Sequence, residues 1–198
     1  SGGPNATAYP VTYRPTGPNP LTDISCASNH LWLRRVPAGT FTMGIPANEL
    51  AYEDERFREY HTQHRVTLTN DFFVGIFPVT RAQYKLVTGT DYSDSGLLPM
   101  LAAWAAIRGA GNWPTDRSVS TESFMGLLRS KVGGRFDLPT AAQREYACRA
   151  GTTTAWNNGS TITGGGTDLE LAKLGWYQGN SGDVAHPVGQ LQANAWGL

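Results

Sequence analysis

Hydrophobic positions along the chain fall into short runs separated by turn residues, and their period changes from two to nearly four and back. From His30, HLWLRRVPAGTFTMG sets an apolar run, a Pro-Ala-Gly turn and a second run in which Phe41 and Met43 alternate with threonines. This predicts a β-hairpin. HRVTLTNDFFVGIFPVT repeats the texture: Val66 and Leu68 alternate with Thr67 and Thr69, Asn70-Asp71 supplies a turn, and a second run starts at Phe72. It reads as a second strand pair.

Two segments then open with the same device. TRAQ (Thr80 to Gln83) and TAAQ (Thr140 to Gln143) have the form of a capping box, in which a Thr hydroxyl and a Gln side chain satisfy orphan amides at a helix start. They predict helices over about residues 81–87, ending before Gly89, and from residue 141 to a stop at Gly151. Between them, STESFMGLLRSKVGG places Phe124, Leu127 and Leu128 on one helical face ahead of Gly133-Gly134, a third helix. Residues 91–117 hold Trp104 and Trp113 and read as a long irregular loop with a short helix near 101–107. The charged, aperiodic ANELAYEDERFREY reads as a surface loop. Beyond Gly151 the chain is mostly turns punctuated by aromatics.

Composition narrows the class. The 198 residues suit one domain, or one domain with a tail. Residues 1–29 carry Pro4, Pro10, Pro15, Pro18 and Pro20 and read as an extended N-terminal extension or linker, leaving residues 30–198 as the domain. Sixteen basic residues against sixteen acidic ones lack the electrostatic footprint of a nucleic-acid partner, so none is expected. No apolar run approaches the roughly 20 residues of a membrane span. SGGPNATAYP has neither a charged nor an apolar signal segment, and the chain opens on Ser, as a processed or trimmed product would. The compartment stays open, leaning to extracytoplasmic or secreted.

Local chemistry is sparse. Cys26 and Cys148 are too few for a disulfide scaffold, match no zinc spacing, and leave their own pairing undecided. Cys148 falls near the C-terminal end of a predicted helix, where the dipole disfavours a thiolate, and is expected to be a buried packing residue. His61 and His64, with Glu59 nearby, resemble a metal cluster, but strand spacing turns the imidazoles to opposite faces and predicts a surface pair. His30 and His186 are isolated in sequence. Asn180 and Asp183 in GNSGDVAH supply oxygen donors of the kind calcium takes, although the same residues make turns without an ion. The GGG at 164–166 has none of the context of a phosphate loop. Trp156, Trp176, Tyr177 and Trp196 are the candidate contact aromatics of a binding surface.

Four ordered blocks carry a resemblance: VPAGTFTMG (Val36 to Gly44), HRVTLTNDFFVGIFPVTRAQY (His64 to Tyr84), DLPTAAQREYACRAGT (Asp137 to Thr152) and HPVGQLQANAWGL (His186 to Leu198). Together they resemble the formylglycine-generating enzyme, or sulfatase-modifying factor, family. The resemblance implies an α+β, C-type-lectin-like fold of small twisted antiparallel sheets with two main helices and much irregular loop. It also implies structural calcium, and copper held by a cysteine pair that oxidises a sulfatase cysteine to formylglycine. Departures matter. The family's LPTEAEWEYA has Glu, Glu and Trp where this chain has Ala141, Gln143 and Arg144, which removes an aromatic expected in the core. The family continues past NAWGL to its redox cysteines, whereas this sequence stops at Leu198, and Cys148 matches a helix cysteine of bacterial members instead.

The resemblance therefore carries over no catalytic or cofactor-binding residue. The expectation is a C-terminally incomplete domain acting as a non-catalytic binding or display module for a protein or peptide, completed by a second chain or a swapped copy. The alternative is the N-terminal part of a formylglycine-generating oxidase, with copper bound only in a longer product.

Overall fold

The computed structural model describes residues 26–46, 49, 61–92, 96–109, 111–162 and 168–198. Most of the Pro-rich lead-in, Glu59 with the rest of residues 50–60, and the GGG at 164–166 lie outside them. The elements run α1 (Cys26–Asn29), β1 (Leu33–Val36), β2 (Gly39–Met43), β3 (His64–Leu68), β4 (Phe72–Gly75), α2 (Arg81–Thr88), α3 (Trp104–Ile107), α4 (Phe124–Val132), α5 (Ala141–Arg149) and α6 (Leu171–Leu174). None of the described helices is long and apolar enough to cross a membrane.

The strands lie where the alternation puts them, but neither hairpin forms. β1 pairs with β4 and β2 with β3, both antiparallel, in two two-stranded sheets. A two-residue hairpin at Pro37-Ala38 would need left-handed backbone, which the ring of Pro37 forbids and Ala38 disfavours. The chain instead runs β1 into β2 opposite β3 running into β4. Val36 faces Phe72 and Gly39 faces Leu68, so two residues on one side oppose three on the other, as in a β-bulge. Asp71 closes this gap: its Oδ1 accepts from the Ala38 N–H at 2.8 Å and its Oδ2 from Arg35 Nε at 2.8 Å. These donors, the Ala38 amide first, hold the Asp71 carboxyl below its ordinary value.

The chain divides into two compact units, one of Phe77–Leu138 with the segment up to Trp32, the other of Leu33–Ile76 and Pro139–Leu198. In the first unit, Tyr84 and Val87 of α2 pack against Phe124, Met125 and Leu128 of α4, with Tyr84 stacked on Phe124 at 5.2 Å between centroids. Burial pushes the Tyr84 phenol up. The Thr80–Gln83 capping box forms as the pattern predicts, and α2 ends on a left-handed Gly89 (φ 79°). Both capping side chains also hold α1: Thr80 Oγ1 donates to the Ala27 carbonyl at 2.7 Å and Gln83 Nε2 to the His30 carbonyl at 2.7 Å. Residues 26–29 thus form a helical turn with Ala27 fully buried, inside the stretch read as extended, because α2 supplies partners the local sequence does not reveal. In α4, Ser123 caps the start and Gly133 (φ 74°) the end.

In the second unit, Val36, Tyr146 and Ala147 form a core joined by Phe41, Leu68, Phe72, Val74, Trp196 and Leu198. Tyr146 of α5 meets Phe41 at 5.1 Å and Trp196 edge-on at 5.0 Å. A Cβ on Gly39 would stand 2.2 Å from the Tyr146 hydroxyl, so only glycine lets β2 approach α5 here. α5 starts on the Thr140–Gln143 capping box. It ends one residue earlier than the Gly151 signal predicts, on Ala150 in left-handed conformation (φ 47°), with Gly151 (φ 93°) following.

Candidate functional site

The helix α5 corrects two expectations. Tyr146, Ala147 and Ala150 take its buried face, whereas Ala141, Arg144 and Cys148 are exposed. Those three are spaced as i, i+3 and i+7 and so share the outer stripe. Cys148 is a free, exposed thiol, not a packing residue. Arg144 stands in water, so the position that holds Trp in the family pattern is not a core position here.

Of the four candidate aromatics, two have structural roles. Trp196 belongs to the core around Tyr146. The Tyr177 hydroxyl accepts from the Asp168 N–H at 2.9 Å and donates to the Asp168 carbonyl at 3.2 Å, pinning two strands of loop. Trp156 lines a cavity of about 210 Å³ together with Ile45, Pro46, Glu49, Arg149, Ala155 and Ile162. Its Nε1 and the neighbouring Asn157 Oδ1 are buried without a hydrogen-bond partner among the described residues. Trp176 is 42% exposed and lies flat on His186, ring centroids 3.7 Å apart and planes 14° apart.

The loop beneath Trp176 is fixed by side chains bonding to backbone. Asn180 Oδ1 accepts from the Tyr177 N–H at 2.7 Å while its Nδ2 donates to the Gly175 carbonyl at 3.0 Å. His186 Nε2 faces the Ser181 carbonyl at 2.9 Å, which sets the tautomer with the proton on Nε2. Asp168 Oδ1 accepts from the amides of Glu170 and Leu171 at the start of α6. Lys173, and then Asn158, hold the Glu170 carboxyl below its usual value. The same unit also exposes Leu169 (71%) and Val184 (61%).

Of the two candidate oxygen donors, Asn180 already serves the fold. The Asn180 carboxamide holds its own turn at both ends, and Asp183 is exposed on left-handed backbone (φ 59°). Calcium takes about six to eight oxygens. Among the described residues no three His, Cys, Asp or Glu side chains converge as ligands. His61 and His64 are both exposed, as the strand spacing predicts, and His64 Nδ1 lies 3.0 Å from the Thr62 carbonyl.

Sequence patterns missed the most buried charged group. Arg108, fully buried in the first unit, grips Asp137 with Nε to Oδ1 at 2.7 Å and Nη2 to Oδ2 at 3.0 Å. It donates to the Ser118 carbonyl at 3.0 Å, and its guanidinium lies 4.9 Å from the Trp113 ring centre and 5.5 Å from that of Trp104. Arg129 completes the knot from α4, with Nη2 to Asp137 Oδ2 at 2.8 Å. No spacing signal links positions 108 and 137. His186, isolated in sequence, gains its role from stacking alone.

Small antiparallel sheets, short capped helices and long side-chain-braced loops define an α+β domain of the sulfatase-modifying-factor type. A family model, the sulfatase-modifying factor enzyme 1-like domain, matches residues 32–198, and the chain belongs to this FGE-sulfatase family. The solved structure of PvdO from Pseudomonas aeruginosa is similar in fold, with a TM-score of 0.52 and 23% identity, over 84% of this chain and 65% of PvdO. This chain thus spans slightly less than two thirds of that relative. No curated protein gives a significant match.

Proposed function

We propose that this FGE-sulfatase domain is a binding or display module without catalysis of its own, taking a protein or peptide ligand on the loop-rich surface around Trp176. The observation that carries the reading is the immobilised, exposed indole. Trp176 is held flat on His186 by a loop whose turns are closed by Asn180, Tyr177 and Asp168. A large aromatic already fixed in place binds with little loss of conformational freedom, and exposed Leu169 and Val184 add apolar area. The test is to pan a random peptide display library on the wild-type domain and compare the selected peptides on Trp176→Ala. They should bind the variant about tenfold more weakly or worse, with thermal stability unchanged. Equal binding by both proteins overturns the reading.

A second reading rests on membership of the FGE-sulfatase family: the chain acts as the N-terminal part of a formylglycine-generating oxidase, with copper and its cysteine pair in a longer product. Copper- and oxygen-dependent conversion of a Cys-containing sulfatase peptide by the full-length gene product would establish this reading and displace the first. Under either reading, a second chain or swapped copy that completes the fold would show as an oligomer in light scattering.

A further inference from the structure

The loop that supports the Trp176 indole carries one uncompensated charge. Among residues 174–198 Asp183 is the one acidic side chain, and there is no lysine or arginine. Lys173, just before them, is neutralised by Glu170. Asp183 is exposed, and no cation of the described residues pairs with it. Its turn is tied to the stacked rings through a single residue. The Ser181 carbonyl accepts from His186 Nε2 at 2.9 Å and from the Val184 N–H at 3.4 Å, and Ser181 Oγ accepts from the Asp183 N–H at 3.3 Å. Ser181 thus joins the turn that bears the carboxylate to the imidazole on which Trp176 lies.

The charge and the rings favour the same kind of ligand. His186 covers one face of the indole with its plane 14° away, and the exposed remainder of Trp176 is left to a ligand. Indole faces attract cations. With the proton on Nε2, His186 keeps Nδ1 as an acceptor. Among cations, a guanidinium is planar, stacks on an aromatic face and presents its N–H groups in a fork that matches a carboxylate, whereas an ammonium is a compact, strongly hydrated point charge. We propose that the ligand of this surface is a peptide segment carrying an arginine, its guanidinium stacked on Trp176 and its N–H groups on Asp183. This ligand class rests on the reading of Trp176 as a contact residue and narrows it.

The experiment titrates the protein at low ionic strength with an acetylated, amidated Gly-Arg-Gly peptide and, separately, with its citrulline counterpart, which keeps the shape of the side chain without its charge. Tryptophan fluorescence and two-dimensional NMR follow the binding. The arginine peptide should bind saturably, about tenfold more tightly than the citrulline peptide, and shift the Trp176 indole N–H and the amides of Asp183 and Val184. Added salt should shrink that preference. Asp183→Asn should reduce it about threefold or more, and asparagine tolerates the left-handed backbone at this position (φ 59°), so the turn is kept. Equal affinity for the two peptides, no saturable binding of the arginine peptide, or an undiminished preference in a folded Asp183→Asn overturns the proposal. Should Asp183→Asn fail to fold, the arginine–citrulline comparison on the wild type decides the matter by itself. The two readings fail separately: library peptides that lose affinity on Trp176→Ala, with no preference for arginine over citrulline, leave the contact surface standing and remove only the guanidinium.

Discussion

The two units solve the problem of irregular backbone in opposite ways. In the first, the long stretch between α2 and α4 is organised from inside, by a buried guanidinium that binds Asp137 and draws in the Ser118 carbonyl. In the second, loops are fixed by separate small polar side chains bonding to backbone: Asn180 within its own turn, Asp71 across a bulge, and Asn194 to the end of α5. A charge knot gathers distant segments but depends on every partner. These ties share no partner with one another, and the second unit exposes Trp176, Leu169 and Val184 among its last turns.

The largest expected effect breaks the knot. Arg108→Met leaves the half-buried Asp137 with Arg129 as its remaining guanidinium partner and should cost about 3–5 kcal/mol in urea denaturation. A loss below about 1 kcal/mol would mean that packing around Trp113 organises this unit without the charge.

A smaller loss should follow Asn194→Ala in the second unit. Asn194 is buried, its Nδ2 donates to the carbonyls of Ala147 and Cys148 at 2.8 and 3.0 Å, and its Oδ1 accepts from the amides of Trp196 and Leu198. Removing one carboxamide orphans several backbone groups, some of which water can reach, for an expected cost of about 2–3 kcal/mol. If the cost matched or exceeded that of Arg108→Met, the contrast between a central knot and separate side-chain ties would fail.

The smallest effect sharpens the contrast by pH. Asp71 is held below its ordinary value of 3.8, so its contribution is complete above that value and is lost as pH falls through the lower folded value. NMR titration should place its midpoint below 3.8. The connection between β1 and β2 should loosen there. A midpoint at or above the ordinary value would remove Asp71 as the clamp of the bulge.

Some of this was legible in the chain. Thr80 with Gln83, Thr140 with Gln143, and the glycines at 89 and 133 announced the helices, because a cap satisfies amides within four residues of itself. The outer position of Cys148 was legible too, through its stripe with Ala141 and Arg144, but a general preference of cysteine for the interior pointed the other way. Trp156 and Trp176 stood among the sequence candidates. His186, on which Trp176 lies, did not, since nothing in the sequence marks a stacking imidazole.

The sequence by itself determined where α2, α4 and α5 lie, where the four strands run and to which family the four ordered blocks belong, all properties of short windows. Only the tertiary structure decided that β1 meets β4 and β2 meets β3, that Arg108 finds Asp137, and that Trp176 lies on His186. Pairing, ion-pair partners and burial depend on segments tens of residues apart, and no local pattern records which of them will meet.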